Sequence, residues 1–391
     1  MKVAKRLEGI GEYYFSQKLR EIEELNKKGK NIINLGIGSP DQPPHPEVIR
    51  VLQEEAAKPH VHAYQSYKGS MVLRLAISDW YHRWYRVQLN PDEEVLPLIG
   101  SKEGIMHICM TYLNKGDEVL LPDPGYPTYN SAVKLAGGKP VNYTLKEKNN
   151  YEPDFDKLEK KGLKKVKLMF VNYPQMPTGQ LPSKELFEKL VAFGKKHQIL
   201  IVHDNPYSFI LNDDPRSLLS VEGAKETAVE LNSLSKSHNM AGWRMGMLCG
   251  AKERIEDVLR FKSNMDSGMF LPLQLAAAKA LSLGKEWQEE VNTIYRQRKE
   301  KAIELLQLLG CSYSRQQAGL FLWARVPAGF KDGYAASDDV LYGSDVFITP
   351  GGIFGKGGNQ YIRVSLCATV EKFEEAIHRI KTKMENTKHG A

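Results

Sequence analysis

The sequence predicts an α/β protein, with a large domain built on a mostly parallel central sheet flanked by helices and a smaller α+β domain after it. Two observations carry this. Through the middle of the chain, compact apolar runs alternate with longer charged, helix-friendly stretches such as PSKELFEKLVAFGKKHQ, and continuous apolar strands separated by helices belong to a parallel sheet covered on both faces. From about Leu275 the character changes to a long charged helical stretch, a strand-like GLFLWARV and a Gly-rich TPGGIFGKGGNQYIRVSL. A length of 391 residues leaves room for two or three domains. With 42% hydrophobic and 26% charged residues the chain can bury a large core, so disorder is not its main state.

Taken in order, Leu73, Ala76, Ile77, Trp80, Trp84 and Val87 recur at helical spacing, so a helix opens near Ser70 and stops before the Asn90-Pro91 turn. Strands are predicted over residues 118–121, 141–145, 168–171, 199–203, 229–234 and 245–249. In such sheets ligands bind beyond the carboxyl ends of the strands, so those ends are where chemistry is sought.

Composition also excludes several classes. Lys+Arg 54 against Asp+Glu 47 gives a net charge of +7, but the basic residues are scattered and form no nucleic-acid arm. The start, MKVAKRLEGIGEYYF, has no uninterrupted apolar core of a signal peptide, and LPLQLAAAKALSL is broken by Gln274 and Lys279. Cys109, Cys249, Cys311 and Cys367 lie far apart with no CxxC pair, which reads as buried thiols in a reducing compartment; the expected location is the cytoplasm.

Four fragments carry candidate chemistry. In ELNSLSKSHNMAGWRMG, Lys236 follows Ser233 and Ser235, with Arg244 eight residues beyond. A lysine that loses its proton is a Schiff-base nucleophile, and a serine hydroxyl with an arginine fork suits a phosphate. In ILIVHDNPY, Asp204 falls at the carboxyl end of a strand with Tyr207 three residues on; the same Asp serves equally as a helix cap. In LPLIGSKEGIMHICMTYL, Gly100-Ser101-Lys102 leads from a strand into a helix, where backbone N–H groups form an anion site. In LLPDPGYPTY, Tyr126 sits in a Pro/Gly-restricted turn from which an aromatic can stack on a ring or simply pack.

Together, and in this order, the fragments resemble the class I/II aminotransferases of the fold type I pyridoxal-phosphate enzymes. LGIGSPD (35–41), AYQSYKGSMVLR (63–74) and PGGIFGKGGNQYIRVSL (350–366) extend the resemblance over nearly the whole chain. It implies a segment 1–45 packing with the small domain, a cofactor-binding large domain 46–275 and a small domain 276–391. It implies pyridoxal 5′-phosphate on Lys236, which also moves the substrate Cα proton. By the same resemblance Asp204 pairs with the pyridine nitrogen, Tyr207 donates to O3′, and Tyr126 stacks on the ring. Ser101, Lys102, Ser233, Ser235 and Arg244 surround the phosphate. Tyr64 reaches the phosphate of a neighbouring subunit, which implies a homodimer with shared sites. Arg363 clamps the substrate carboxylate with the Gly38 backbone close by.

The expected reaction is transfer of an amino group from an L-amino acid to a 2-oxo acid. A C–S lyase or another non-transaminating enzyme is the alternative on the same scaffold. A non-catalytic regulator is disfavoured, because about 35 residues before LGIGSPD are too few for a DNA-binding module. One departure stands out. Where the family has Asn-Pro-Thr-Gly, this chain reads Met176-Pro177-Thr178-Gly179, and methionine donates no hydrogen bond. The expectation is that Met176 fills the space and Tyr207 alone serves O3′, with the Gln175 amide as the alternative donor. For the substrate side-chain pocket, residues 263–270 and the tyrosines Tyr13 and Tyr14 are candidates.

Overall fold

The computed structural model describes residues 1–389. Its main sheet has seven strands in the order Val95–Leu98, Gly246–Gly250, Ala228–Ser233, Leu200–Asp204, Val166–Asn172, Glu118–Asp123, Lys139–Thr144. Neighbours pair in parallel except Gly246–Gly250, which runs antiparallel to both of its partners. Alternate residues feed opposite faces. Met169, Val171 and Ile201 join one core cluster, while Leu168, Phe170, Leu200 and Val202 join another. Both faces are buried because the side-chain period of a strand is two and helices cover each side.

The predicted strands are all present, shifted by one or two residues. Two shifts matter. Asp204 is the last strand residue instead of the first after it. The strand expected over 229–234 ends at Ser233, and Leu234 opens the short helix Leu234–Ser237 that carries Lys236. The helix expected from Ser70 spans Met71–Tyr85, with the Ser70 hydroxyl accepting from the Leu73 N–H at 3.3 Å. It stops at Arg86, which adopts a left-handed conformation (φ 59°). Val87 keeps the apolar rhythm and is buried, but the backbone has already left the helix.

The C-terminal part builds a four-stranded antiparallel sheet in the order Thr349–Pro350, Tyr361–Ser365, Phe321–Arg325, Ser312–Tyr313. The 24-residue helix Lys285–Leu308 and the helix Val370–His389 pack with it. N-terminal residues share that core: Phe15, Ile33 and Leu35 belong to one cluster with Tyr295, Leu322, Val364 and Phe373. Strand Ile33–Asn34 also pairs with Val346–Phe347. All four cysteines are free. Cys109 and Cys249 are buried as expected, whereas Cys311 and Cys367 are only partly so. No helix among the described residues is long and apolar enough to cross a membrane.

Candidate active site

Parallel register brings the ends of three strands into one row. Asn172 is opposite Asp204 and Asp204 is opposite Leu231, so Asn172, Asp204 and Ser233 emerge together at one sheet edge. The antiparallel strand completes the row from its other end. Gly246 pairs with both Leu98 and Ser233, which places the preceding Arg244 beside the turn Gly100-Ser101. A cavity of about 400 Å³ opens there. It is lined by Ser101, Lys102, Tyr126, Asp204, Tyr207, Ser233, Ser235, Lys236, Arg244, Gly38 and Arg363, eleven of the twelve residues singled out in the sequence. Tyr64 is the exception: it is 91% exposed and does not line the cavity of its own chain.

At one end Gly100 caps the helix Ser101–Tyr112, whose first N–H groups face the cavity side with Ser101. Gly100 has φ +81°, and a Cβ on it would lie 2.3 Å from Arg244 Nη2. Only glycine lets the guanidinium come this close. The Ser233 hydroxyl accepts from the Ser235 N–H at 3.3 Å, and Arg244 Nη1 donates to the Ala241 carbonyl at 2.7 Å. Helix N–H groups, hydroxyls and an arginine fork together suit a phosphate dianion. The Lys102 ammonium rests over the Tyr13 ring at 5.2 Å.

The centre of the cavity holds Asp204. Tyr129 donates to its Oδ2 at 2.8 Å, while Oδ1 is buried and has no partner. Burial raises its pKa to about 6, against the opposing pull of the Tyr129 hydrogen bond. A buried carboxylate oxygen with no partner is costly, and a protonated ring nitrogen would satisfy it. Tyr207 is partly buried edge-on to Phe321, with 5.9 Å between ring centroids. Tyr126 meets Tyr129 in the same way at 5.5 Å.

Lys236, just past a strand of the seven-stranded sheet, and Arg363, in the four-stranded sheet, converge on one loop. Lys236 Nζ donates to the Gly38 carbonyl at 2.6 Å, Arg363 Nη2 to the Gly36 carbonyl at 2.8 Å, and Ser365 Oγ to the Ile37 carbonyl at 2.8 Å. The loop is tied down further along, where the buried Arg298 makes a bidentate pair with Asp41 at 2.7 and 2.8 Å. A Cβ on Gly38 would sit 2.3 Å from Phe321 Cζ, so the backbone approaches only as glycine. Lys236 has its pKa lowered, first by desolvation and then by the charges of Arg363 and Arg244. Burial likewise lowers Arg363 to about 10, which leaves it charged at neutral pH.

Three residues escaped the sequence reading. Asn172 donates to the Asp204 carbonyl at 2.6 Å and accepts from the Met176 N–H at 2.7 Å, so it fixes both. Its signal was its place at the end of an apolar strand, the same as that of Asp204. Tyr129 gave no signal apart from lying one helical turn from Tyr126. Phe15 reaches the cavity only through tertiary packing. Of the pocket candidates, Tyr13 lines the cavity, whereas Tyr14 packs on Tyr334 and Asp266 pairs with Lys262. Gln175 is no donor to the site. Its Nε2 bonds the Pro124 carbonyl at 3.0 Å and its Oε1 accepts from Thr178 Oγ1 at 2.6 Å. Met176 is buried, and its sulfur lies 3.4 Å from Arg363 Nη1.

Known proteins share this arrangement. The family model described as aminotransferase class I and II matches residues 30–380. The LL-diaminopimelate aminotransferase of Halothermothrix orenii is 40% identical over 383 residues, covering 97% of this chain and 98% of that protein. The enzyme of the same name from Aquifex aeolicus is 39% identical over 381 residues, covering 96% and 97%. Among solved structures, substrate-bound BacF from Bacillus subtilis superposes with a TM-score of 0.93 at 36% identity, covering 98% of both chains. An aromatic aminotransferase from Pyrococcus horikoshii gives 0.86 at 29% identity, covering 95% and 99%. With a family model spanning most of its length and relatives matched nearly end to end, the chain belongs to the class I and II aminotransferases, which are enzymes dependent on pyridoxal phosphate.

Proposed function

We propose that this enzyme takes the amino group of an L-amino acid with Lys236 as both the covalent anchor of pyridoxal phosphate and the base at the substrate Cα. The cofactor suits the residues present: a phosphate cradle at Gly100–Ser101 and Arg244, and an unpartnered Asp204 Oδ1 where a cationic nitrogen would lie. When bound, pyridoxal phosphate supplies the electron sink that makes the Cα proton labile. Asp204 keeps the ring nitrogen protonated, and Tyr207 donates to O3′. Tyr126, which lines the same cavity, would pack against the ring. Ser101, Lys102, Ser233, Ser235 and Arg244 hold the phosphate. Arg363 binds the α-carboxylate and so orients the Cα–H toward the lysine. Lys236 must be neutral to accept that proton, and the desolvation that lowers its pKa favours this.

The observation that carries the proposal is the approach of Lys236 and Arg363 to the Gly38 and Gly36 carbonyls of one loop, in the cavity that Asp204, with its unpaired oxygen, also lines. Borohydride reduction of the loaded enzyme followed by peptide mapping is expected to place the label on Lys236. A label on any other lysine would overturn the assignment.

Arg363→Gln is expected to lower kcat/KM by about 10²-fold or more, mostly through KM, since a bidentate charge-assisted pair is lost. A change confined to kcat would reject the clamp. Met176→Asn tests the departure from the family pattern. Without a second donor, O3′ should be more basic, so the substitution should lower the pH midpoint of the loaded enzyme's visible absorption. A neutral hydrogen bond is worth about 0.5–1.5 kcal/mol, which makes the shift about 0.4–1 pH unit. An unchanged midpoint would reject the idea.

A homodimer with shared sites is supported by Tyr64, an aromatic residue left almost fully exposed in a stretch whose resemblance to the family implies contact with a neighbouring subunit's phosphate. Mixed Lys236→Ala and Tyr64→Ala proteins, each impaired alone, are expected to regain activity as heterodimers; failure to complement would count against sharing. The free thiols fit a reducing compartment such as the cytoplasm.

A further inference from the structure

The loop that carries Tyr64 is exposed at its tip and held at its base. Tyr64 is 91% exposed, yet three residues later the Tyr67 carbonyl accepts from Lys262 Nζ at 3.0 Å. That lysine is 1% exposed, and its ammonium also lies 2.9 and 2.8 Å from the two oxygens of Asp266. Asp266 Oδ1 accepts in turn from the Gly268 N–H at 3.0 Å. Gly268 has φ +82°, and a Cβ on it would lie 2.6 Å from the Gln65 carbonyl oxygen, so only glycine lets the two backbones meet here. At the end of the loop the Ser70 N–H donates to the buried Gln274 Oε1 at 2.7 Å. Residues 65–70 are thus pinned to the segment 262–274, while the Tyr64 side chain packs on little of its own chain.

A buried ion pair contributes little net stability beside apolar residues of the same volume, so what Lys262 and Asp266 supply is geometry. Glu103, His107 and Asp266 bring ligand atoms within 4.8 Å of one another, but the Lys262 ammonium already sits on both Asp266 oxygens, so the cation of this cluster is the lysine. Glu103 Oε2 accepts from the Ile99 N–H at 2.7 Å, next to the phosphate turn. The cluster therefore has two routes toward a phosphate, through Glu103 to the turn of its own chain or through Tyr67 to Tyr64. The hydrogen bonds of Lys262 run to the loop and to Asp266, not to Glu103, which favours the second.

We infer that Lys262, held by Asp266, is a positioning residue: it fixes the base of the Tyr64 loop and so aims that tyrosine at the cofactor phosphate of a neighbouring subunit. The inference rests on the shared-site reading above and adds the residue that keeps the loop in place. A side chain with few packing partners in its own chain depends on its backbone for aim, and a loop ordered in advance loses less freedom on contact.

The test uses the holoenzyme and follows cofactor release on dilution by loss of the visible band. Lys262→Met alone strands a buried carboxylate, so the pair Lys262→Met and Asp266→Asn is made together. The double variant leaves no unpaired charge, keeps an amide oxygen for the Gly268 N–H, and is expected to fold. Tyr64→Phe should raise the cofactor Kd about tenfold or more, since a charged acceptor loses a donor. The double variant should raise it at least about fivefold, with kcat at saturating cofactor within about twofold of the parent. In the Tyr64→Phe background the same pair should matter by less than about twofold, because effects exerted through one contact do not add. An undiminished effect there overturns the inference, as does a double variant that holds cofactor as tightly as the parent. An unaltered Kd in Tyr64→Phe removes the shared site itself.

Mixed dimers place the defect. A heterodimer of the double variant with Lys236→Ala has one site with Lys236, and that site takes Tyr64 from the chain whose Lys262 is intact. Its cofactor Kd, read from the visible band, should match the parent's. A Kd that stays at the double variant's value puts the effect in its own chain, through Glu103 and the phosphate turn, and overturns the inference.

Discussion

Lys236→Ala is expected to fold and to bind the cofactor's phosphate, yet to lose at least about 10⁴-fold in turnover. General acid–base catalysis alone accounts for about 10²–10⁴-fold, and on the proposed assignment the same amine is also the covalent anchor. Little compensating damage is expected elsewhere. The side chain makes one hydrogen bond, to the Gly38 carbonyl, and its ammonium is destabilised by desolvation and by Arg363 and Arg244. Removing it relieves that cost, so the melting temperature of the apoprotein should hold or rise. Retained turnover within tenfold of the parent would place the reacting amine elsewhere. A collapsed melting temperature would show that the residue is structural.

The second large effect is expected at Asp204. Burial pushes its carboxyl up to about 6 in the folded protein, from an ordinary aspartate value of 3.8. Between these values the native state binds more protons than the unfolded state, so stability falls as pH rises from about 4 to 6 and then levels off. The full difference is about 3 kcal/mol at 1.36 kcal/mol per unit, an order-of-magnitude figure. Asp204→Asn removes the titrating group. The apoprotein variant should therefore be the more stable of the two at pH 7, with the pH 4–6 slope diminished. Turnover should fall by about 10²-fold or more, because a neutral amide does not hold the ring nitrogen protonated. Equal slopes for parent and variant in chemical denaturation across that window would mean that Asp204 does not carry the titration. The variant thus separates stability from activity at one atom: the unpartnered Oδ1 is a liability in the empty fold and an asset beneath a cation.

Arg363 illustrates why the two halves of the chain are needed together. It lies on strand Tyr361–Ser365, opposite Trp323 in the neighbouring strand, yet its fork reaches the Gly36 carbonyl 327 residues earlier. Its tertiary setting distinguishes it from an arginine that merely solvates a strand.

What the sequence determined by itself was local. Strand periodicity placed Asp204 at a strand end and Lys236 just past another. The glycine of Gly100-Ser101-Lys102 marked a helix entry, and the order of the fragments carried the family resemblance. These signals are legible because they depend on neighbours within a few residues: alternation, capping and turn chemistry. Tertiary structure alone decided that Gly246–Gly250 runs antiparallel and so delivers Arg244 beside Gly100, and that Asn172 and Tyr129 steady Asp204. It also decided that Gln175 turns away and that Phe15 joins the wall of the pocket. Strand direction, side-chain reach and the packing of an N-terminal segment against a distant core arise from contacts between residues far apart in the chain, and no short window of sequence contains both partners.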